Sequence, residues 1–193
     1  MRSAILYDLE YTAWEGSVEA DWLRPGEFQE VVQFGAVKLN AETLETIGEF
    51  EALVRPRINK QLSAYFEALT GIANAALHAR GIDFREAYDG FAAFAGEGPI
   101  VSFGRDDRVL IRNLSLYGIH DAAPLPEHRN IAPWLNSHGI VTKGMHACDI
   151  ARACGAEFRG RAHDALEDAR SVAAGARALI ARGARNIFLD ARA

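Results

Sequence analysis

Two acidic residues near the start of the chain are spaced so that they can act together. Asp8 and Glu10 lie two positions apart in residues 3–10, whose apolar and β-prone composition predicts a strand. Side chains alternate along a strand, so both carboxylates point to one face. On a buried strand the two charges repel each other, and a cation between them relieves that repulsion. Taken alone, however, the pair is better explained as a solvated strand end.

A histidine and a further aspartate stand at the start of the last predicted helix. Asp164 is a natural N-cap, and Glu167 three residues later completes a capping box. An acidic first turn that complements the helix dipole explains these two acids, but it does not explain His163. A histidine close to Asp168 suits metal-assisted hydrolysis, in which one group binds the ion and the other deprotonates water.

A third acidic segment follows a short apolar one. Residues 99–103 are predicted to form a strand, and Gly104, Asp106 and Asp107 come directly after it. Acids at the start of a helix are an ordinary N-terminal signal. By itself this segment therefore predicts helix capping.

The elements that must position these residues follow from periodicity and turn residues. Three strands with short connections, at residues 3–10, 30–39 and 45–54, indicate an antiparallel meander. Helices are predicted at residues 63–69, 72–80, 83–95, 105–117 and 164–183. Residues 119–145 are predicted to be largely irregular, with a short strand at 130–134. This order predicts an α/β domain with helices packed against a mixed sheet.

Composition limits the class of protein. The chain has 193 residues, 49% of them hydrophobic and 24% charged, which is typical of a soluble globular protein of one domain. It has no apolar run of membrane-spanning length and no signal-peptide pattern, so no membrane association is expected. Cys148 and Cys154 lack CxxC spacing, and we expect reduced packing residues in a cytoplasmic protein. The net charge of −5 argues against a nucleic-acid binder, unless several acids gather around bound cations.

The three acidic segments occur in a meaningful order. D-x-E on the first strand, an acid after a middle strand and H-x-A-x-x-D on a late helix resemble the three motifs of the DEDDh superfamily of 3′→5′ exonucleases. Residues 29–36, 54–56 and 69–72 also resemble its scaffold segments, and the pattern is most similar to the Eri/KapD-like subgroup. The resemblance implies a ribonuclease-H-like fold, with a mixed central sheet, helices on both faces and a single domain over residues 1–193.

The resemblance also implies a set of metal ligands. In its terms Asp8, Glu10, Asp107 and Asp168 hold two divalent ions, Mg²⁺ or Mn²⁺, with Asp8 between them, and His163 is the general base. Asp107 is chosen because the subgroup typically has its acid three residues after the glycine, here Gly104. The subgroup often has an aromatic residue before that acid, whereas this chain has Asp106, which therefore stays a competing candidate.

The implied substrate is the 3′ end of RNA or of single-stranded nucleic acid, cut to nucleoside 5′-monophosphates. Tyr11, Phe103 and the loop residue Trp14 are candidates for base contacts. Core packing is the better explanation for Phe103, on its buried strand, and an equal alternative for Tyr11 and Trp14. Arginines for the phosphates are expected close to His163 and along the helix after Gly104. The expected substrate-binding residues are Tyr11, Thr12, Leu69, Thr70, Phe103, Arg159 and Arg161, and the helix stripe is Arg105, Arg108 and Arg112.

Two other functions stay open. One is a DNA-directed proofreading or repair exonuclease, since no motif reveals contacts to a 2′-hydroxyl. The other is a catalytically silent nucleic-acid-binding module on the same fold, which the retention of all five active-site residue types disfavours. Protein partners and the oligomeric state, including a homo-oligomer, are left undetermined by the sequence.

Overall fold

A computed structural model of the protein describes residues 2–189, and within them the chain forms five strands and seven helices. The strands are β1 (Ser3–Tyr11), β2 (Val31–Asn40), β3 (Thr46–Leu53), β4 (Ile100–Ser102) and β5 (His128–Asn130). The helices are α1 (Ala64–Thr70), α2 (Asn74–Arg80), α3 (Phe84–Ala95), α4 (Asp106–Leu116), α5 (Ala132–Ser137), α6 (Ile150–Ala153) and α7 (Ala165–Ala181). A short 3₁₀ turn, Ala147–Asp149, leads into α6. In residues 2–189 no helix is long and apolar enough to cross a membrane.

The strands form one mixed sheet in the order β3-β2-β1-β4-β5. β1, β2 and β3 pair antiparallel, so the predicted meander is confirmed. β4 and β5 then join on the other side of β1 and run parallel to it. β1 is therefore a central strand, which explains why its residues are apolar on both sides.

Helices cover both faces of this sheet, as predicted. Ala4 and Leu6 of β1 pack into a core shared with α5, α6 and α7. Ile5, Tyr7 and Leu9 alternate with them and pack on the other face against α3 and α4. Asp8 and Glu10 continue the even-numbered side of β1, so both carboxylates lie on the face covered by α7.

One predicted strand has the wrong bounds. Of residues 130–134 only Asn130 lies in a strand, because β5 is His128–Asn130 and α5 begins two residues later with Pro133 in its first turn. The Asn130 side chain makes this turn, because its Oδ1 accepts hydrogen bonds from Ala132 N at 2.9 Å and from Gly104 N at 3.1 Å. A short apolar run does not by itself distinguish a strand from a helix start.

Candidate active site

Four carboxylates meet at the carboxyl ends of β1 and β4. Asp8 and Glu10 come from β1, Asp106 is the first residue of α4, and Asp168 lies in the first turns of α7. All four line one cavity of about 680 Å³, together with His163. Three separate segments of the chain thus bring their acids to one place.

The position of α7 depends on β2. Gly35 lies opposite Asp8 in the sheet, and a Cβ at Gly35 would overlap the backbone of Ala165 and Leu166. The missing side chain therefore lets the start of α7 rest directly on the sheet. Gln33, which lies opposite Glu10, fixes the same helix end, because its Oε1 accepts a hydrogen bond from Ala165 N at 3.0 Å.

The four acids destabilise each other's charged forms. Burial, followed by the charges of Asp106 and other neighbouring acids, raises the pKa of Asp8 well above its ordinary value. Burial, followed by the charge of Asp168, does the same to the pKa of Glu10. Burial also raises the pKa of Asp106 and the pKa of Asp168, each to about 7. Protein groups alone do not stabilise four negative charges here.

These residues fit a bound cation. Among the described residues, one buried oxygen of Asp106 and one of Asp168 have no hydrogen-bond partner. Buried acceptors without donors are costly, and a positive ion satisfies them. The donors are carboxylate oxygens, with a histidine beside them, and such a set suits hard divalent cations such as Mg²⁺ and Mn²⁺.

His163 lies at the edge of this cluster. One of its ring nitrogens lies within 4.8 Å of carboxylate oxygens of Glu10 and Asp168. Its φ of 58° is in the left-handed region, which side chains rarely adopt and which functional sites often retain. Burial, and then the neighbouring His146 ring at 5.2 Å, lowers the pKa of His163. The imidazole is therefore neutral at pH 7 and can accept a proton.

The two acids after Gly104, the expected ligand Asp107 and its competitor Asp106, lie in different surroundings. Successive residues of a helix point about 100° apart, so the first turn of α4 can direct only one of them at Asp8. Asp106 is buried and lines the cavity, whereas Asp107 does not line it. Asp107 instead binds Arg105 at 2.8–2.9 Å, which lowers its pKa.

Asp107 is nevertheless connected to Asp106 through two other side chains. Its Oδ1 lies 3.3 Å from His128 Nδ1, and His128 Nε2 lies 2.9 Å from Ser102 Oγ. Hydrogen bonding to that serine hydroxyl lowers the pKa of Asp106, against the larger effect of burial. A series of polar contacts therefore runs from Asp107 through His128 and Ser102 to Asp106.

The cavity above the carboxylates has an aromatic wall. It consists of Tyr11, Trp14, Trp22, Tyr65, Phe66 and Phe103, with Leu69, Met145 and His146 beside them. The loop after β1 supplies Trp22, whose Nε1 donates to Thr12 O at 2.7 Å and whose ring lies edge-on to Tyr11 at 5.4 Å. Flat rings of this kind can stack on a nucleobase.

Some wall residues were not found from the sequence. Tyr65 and Phe66 lie on α1 with Leu69, which was expected and does line the cavity. The i, i+4 spacing of Tyr65 and Leu69 could have indicated one face. His146 comes from an irregular segment in which no local pattern marks it.

The hydroxyls of two expected substrate contacts, Thr12 and Thr70, form hydrogen bonds with the backbone. The Thr12 hydroxyl donates to Phe28 O at 2.5 Å and accepts from Glu30 N at 3.0 Å, so it closes the base of the loop. The Thr70 hydroxyl donates to Phe66 O and accepts from Ile72 N. Both threonines are buried, and neither lines the cavity.

The expected arginines lie outside the cavity lining. The Arg161 guanidinium rests against Gly71, at the end of α1, and Arg159 is exposed. On α4, Arg105 is paired with Asp107, and Arg112 Nη1 donates to Gln29 Oε1 at 2.7 Å. Arg108 on the same helix is exposed.

Comparisons with known proteins agree with this geometry. The family model RNase T, described as an exonuclease, matches residues 5–174. Among curated proteins, 3′-5′ exoribonuclease 1 from Homo sapiens is 43% identical over 68 residues, and that from Mus musculus is 41% identical over 68 residues. The matched segment is 35% of this chain but only 18% of the length of these relatives.

Solved structures show the same fold. The nuclease domain of 3′hExo, a DEDDh family member bound to rAMP, has a TM-score of 0.78 and 24% identity, with 94% of this chain and 93% of that chain covered. Cell-death related nuclease 4 has a TM-score of 0.76 and 21% identity, with 95% and 65% covered. The chain belongs to the RNase T exonuclease family.

Proposed function

We propose that the chain is a metal-dependent 3′→5′ exonuclease that releases nucleoside 5′-monophosphates from the 3′ end of RNA or single-stranded nucleic acid. The observation that carries this proposal is the convergence of Asp8, Glu10, Asp106 and Asp168 beside His163 in one open cavity. A purely structural site has no need to keep four mutually repelling carboxylates. This retention also disfavours the silent binding module.

The carboxylates are the metal ligands in this proposal. Asp8, Glu10, Asp106 and Asp168 would hold the divalent ions, Mg²⁺ or Mn²⁺. When bound, such ions stabilise the attacking and leaving oxygens of a phosphoryl displacement and lower the pKa of water. The protein fixes the acids in advance, because β1 and the docked end of α7 carry three of them on rigid elements.

His163 takes the proton of the attacking water. Its lowered pKa keeps a ring nitrogen free at neutral pH, and its position near Glu10 and Asp168 places that nitrogen beside the acids. A proton leaves the water as the new P–O bond forms, and the bond to the 3′-oxygen of the preceding nucleotide breaks. The released product carries a 5′-phosphate.

The aromatic wall binds the terminal nucleotide. Tyr11, Trp14, Trp22 and Phe103 offer flat surfaces to a base, which is a sequence-tolerant form of recognition. Single-stranded ends suit this cavity because a stacked base must first leave any duplex. RNA is favoured over DNA by the exoribonuclease relatives. The free thiols of Cys148 and Cys154 support a reducing, cytoplasmic location.

The test uses oligonucleotides labelled at one end. Wild-type protein with Mn²⁺ should release the 3′ label first as a mononucleotide, and 5′-labelled RNA should shorten in a ladder. EDTA should stop digestion, and Asp8→Asn should stop it with the fold intact by circular dichroism. Release of the 5′ label first would refute the polarity, and faster digestion of matched DNA than of RNA would favour the DNA-directed alternative.

A further inference from the structure

A second cavity, of about 460 Å³, lies away from the carboxylates, and we name it the basic cavity. It is enclosed by the segment after β3 and by α2, and its lining residues are Arg55, Pro56, Arg57, Lys60, Asn74, Leu77, His78 and Asp83. Three of these are permanent cations, one is a histidine and one is an acid. The chain as a whole has a net charge of −5, so this cavity is a local concentration of charge of the opposite sign.

The single acid of the lining does not neutralise the cavity. Asp83 is used by Arg57, whose Nε and Nη2 donate to it at 2.8–3.1 Å, and it accepts from Arg85 N at 2.9 Å at the start of α3. In residues 2–189, the salt bridges include neither Arg55 nor Lys60. Arg55 still interacts electrostatically with Asp83, because its charge helps to lower the pKa of that carboxyl after the larger effect of the Arg57 hydrogen bonds. Three permanent cations face one acid, so the lining keeps an excess of two positive charges that can attract an anion.

A buried carboxylate fixes the wall that carries these cations. Glu30 is fully buried, and its oxygens accept hydrogen bonds from three successive backbone N–H groups. The donors are Arg57 N at 2.7 Å, Ile58 N at 2.8 Å and Asn59 N at 2.6 Å, and Tyr117 Oη donates to the same carboxylate at 2.6 Å. The loop between β3 and α1 is thus held in one shape, as a preorganised site requires.

The arginine side chains also start from fixed positions. A Cβ at Gly81 would lie 2.7 Å from Arg55 Cγ and 2.6 Å from Leu77 O, so only glycine lets the Arg55 stem lie this close to the backbone. The Arg57 guanidinium lies 4.7 Å from the centre of the Tyr117 ring, a cation–π contact that holds it in place.

The lining chemistry selects a phosphate over a base. Arginine forks and lysine ammonium groups are the usual phosphate ligands of proteins. The apolar lining is limited to Pro56 and Leu77, and His78 is the single ring, with no Phe, Tyr or Trp among the lining residues. A nucleobase therefore finds much less stacking surface here than at the aromatic wall of the active site. The cavity volume lies within the range of ordinary ligand sites.

The basic cavity and the active-site cavity have no lining residue in common, but each is lined by one of two adjacent helices. α1 turns Tyr65 and Leu69 to the active-site cavity, while α2 turns Leu77 and His78 to the basic cavity. Asn74 ties the two helices together, because its N donates to Glu67 Oε1 at 2.7 Å. A helix is about 10–12 Å thick with its side chains, which is a few nucleotide spacings along a strand.

We propose that the basic cavity binds a backbone phosphate of the substrate strand, a few nucleotides upstream of the 3′ end that is being cut. This inference rests on the proposed exonuclease function. It adds a second contact with the substrate, which makes the affinity depend on the length of the strand. It predicts that strands long enough to reach the basic cavity bind more tightly than shorter ones, whatever their sequence.

The test compares the double variant R55A/K60A with R2A/R152A, which removes the same charge from exposed arginines elsewhere. KM is measured for single strands from about 2 to about 12 nucleotides. For long strands, R55A/K60A should raise KM about tenfold with kcat unchanged, while dinucleotides should be cut as by wild type. The slope of log affinity against log salt should fall by about 0.7 for each phosphate that the variant no longer neutralises. The control should match wild type.

Several outcomes would overturn the proposal. One is an equal KM effect of R55A/K60A on dinucleotides and long strands, and another is no effect on either. Inorganic phosphate or a mononucleotide that binds R55A/K60A more weakly than wild type, with strand affinity unchanged, would assign the cavity to a free anion. Anisotropy of labelled strands with Asp8→Asn protein tests the contact without catalysis. A wild-type protein that digests nothing but binds strands through Arg55 and Lys60 would refute only the exonuclease proposal.

Discussion

The two neighbouring acids Asp106 and Asp107 differ in how far other protein groups compensate their negative charge. Asp106 is buried, has an oxygen without a partner and has a pKa of about 7, whereas its neighbour Asp107 is paired with Arg105 and has a lowered pKa. An acid that the protein leaves uncompensated fits a bound cation, and a paired one does not. The two neighbours therefore differ in chemistry although they are identical in type.

This difference predicts losses of activity of very different size for two matched substitutions. Asp106→Asn should lower metal-dependent digestion by roughly 100-fold or more, because it removes several kcal/mol of metal interaction. Asp107→Asn should lower it by about tenfold at most, since Asp107 acts on the site only through His128 and Ser102. Initial rates at saturating Mn²⁺ and the Mn²⁺ concentration for half activity are the measurements. Equal losses in the two variants would remove the distinction.

Substitution of His163 should affect proton transfer and not metal binding. His163→Asn should lower kcat by about 10²–10⁴-fold and leave Mn²⁺ affinity little changed, because the imidazole acts on a proton. Calorimetric Mn²⁺ binding beside single-turnover rates separates the two quantities, and His120→Asn, at an exposed histidine, is the control. A parallel loss of Mn²⁺ affinity would make His163 a ligand, which its distance from Glu10 and Asp168 also permits.

The sequence alone indicated that Asp8, Glu10, His163 and Asp168 are candidates for one site, because their local spacing does not depend on the rest of the fold. Two residues on a strand share a face in any structure, and a helix fixes the distance of Asp168 from its first turn. The choice between Asp106 and Asp107 depends on where α4 begins, and helix starts are uncertain by a residue or two. One residue of error turns the side chain about 100° away.

At the scale of elements, the site depends on how closely α7 approaches the sheet. Gly35 allows that approach beneath Asp8, and Gly48 provides a matched comparison because a Cβ there would make an ordinary 3.4 Å contact with Phe94. Gly35→Ala should push the backbone of Ala165 away and move Asp168. We expect a stability loss of about 1–3 kcal/mol and a fall in kcat of roughly 100-fold.

The measurement is kcat at a temperature where circular dichroism shows both variants folded, with urea unfolding for stability. Gly48→Ala should change neither quantity by much, although it also lies in a strand of the same sheet. Wild-type kcat in a folded Gly35→Ala protein would mean that helix docking does not set the position of Asp168.

Elements with a strong local pattern were predictable and those made by distant contacts were not. The meander and α7 have clear periodicity and caps, and both were predicted. β5 is a three-residue strand that exists because β4 pairs with it, and Asn130 then ends it by a bond to Gly104. The aromatic wall and the basic cavity likewise join residues from loops and helices far apart in sequence.

At the scale of the whole molecule, the site makes metal-free protein sensitive to pH. An aspartate in an unfolded chain releases its proton near pH 3.9, while Asp106 and Asp168 retain theirs up to about pH 7 in the folded form. Between these values the folded form binds more protons, so the free energy of unfolding falls as the pH rises. Asp8 and Glu10, whose pKa values are also raised, act in the same direction.

Thermal unfolding checks this expectation. In EDTA the contribution of these acids should lower Tm from pH 5 to pH 7.5, and Mn²⁺ at about 100 times its Kd should raise Tm at pH 7.5 by roughly 5–10 °C. Asp8→Asn should raise the EDTA value at pH 7.5 and abolish the response to Mn²⁺, because it removes one repelling charge and one ligand. Asp107→Asn, whose carboxyl has a lowered pKa, should keep the response to Mn²⁺. If Mn²⁺ left the wild-type Tm unchanged at pH 7.5, the clustered acids would not be a metal site.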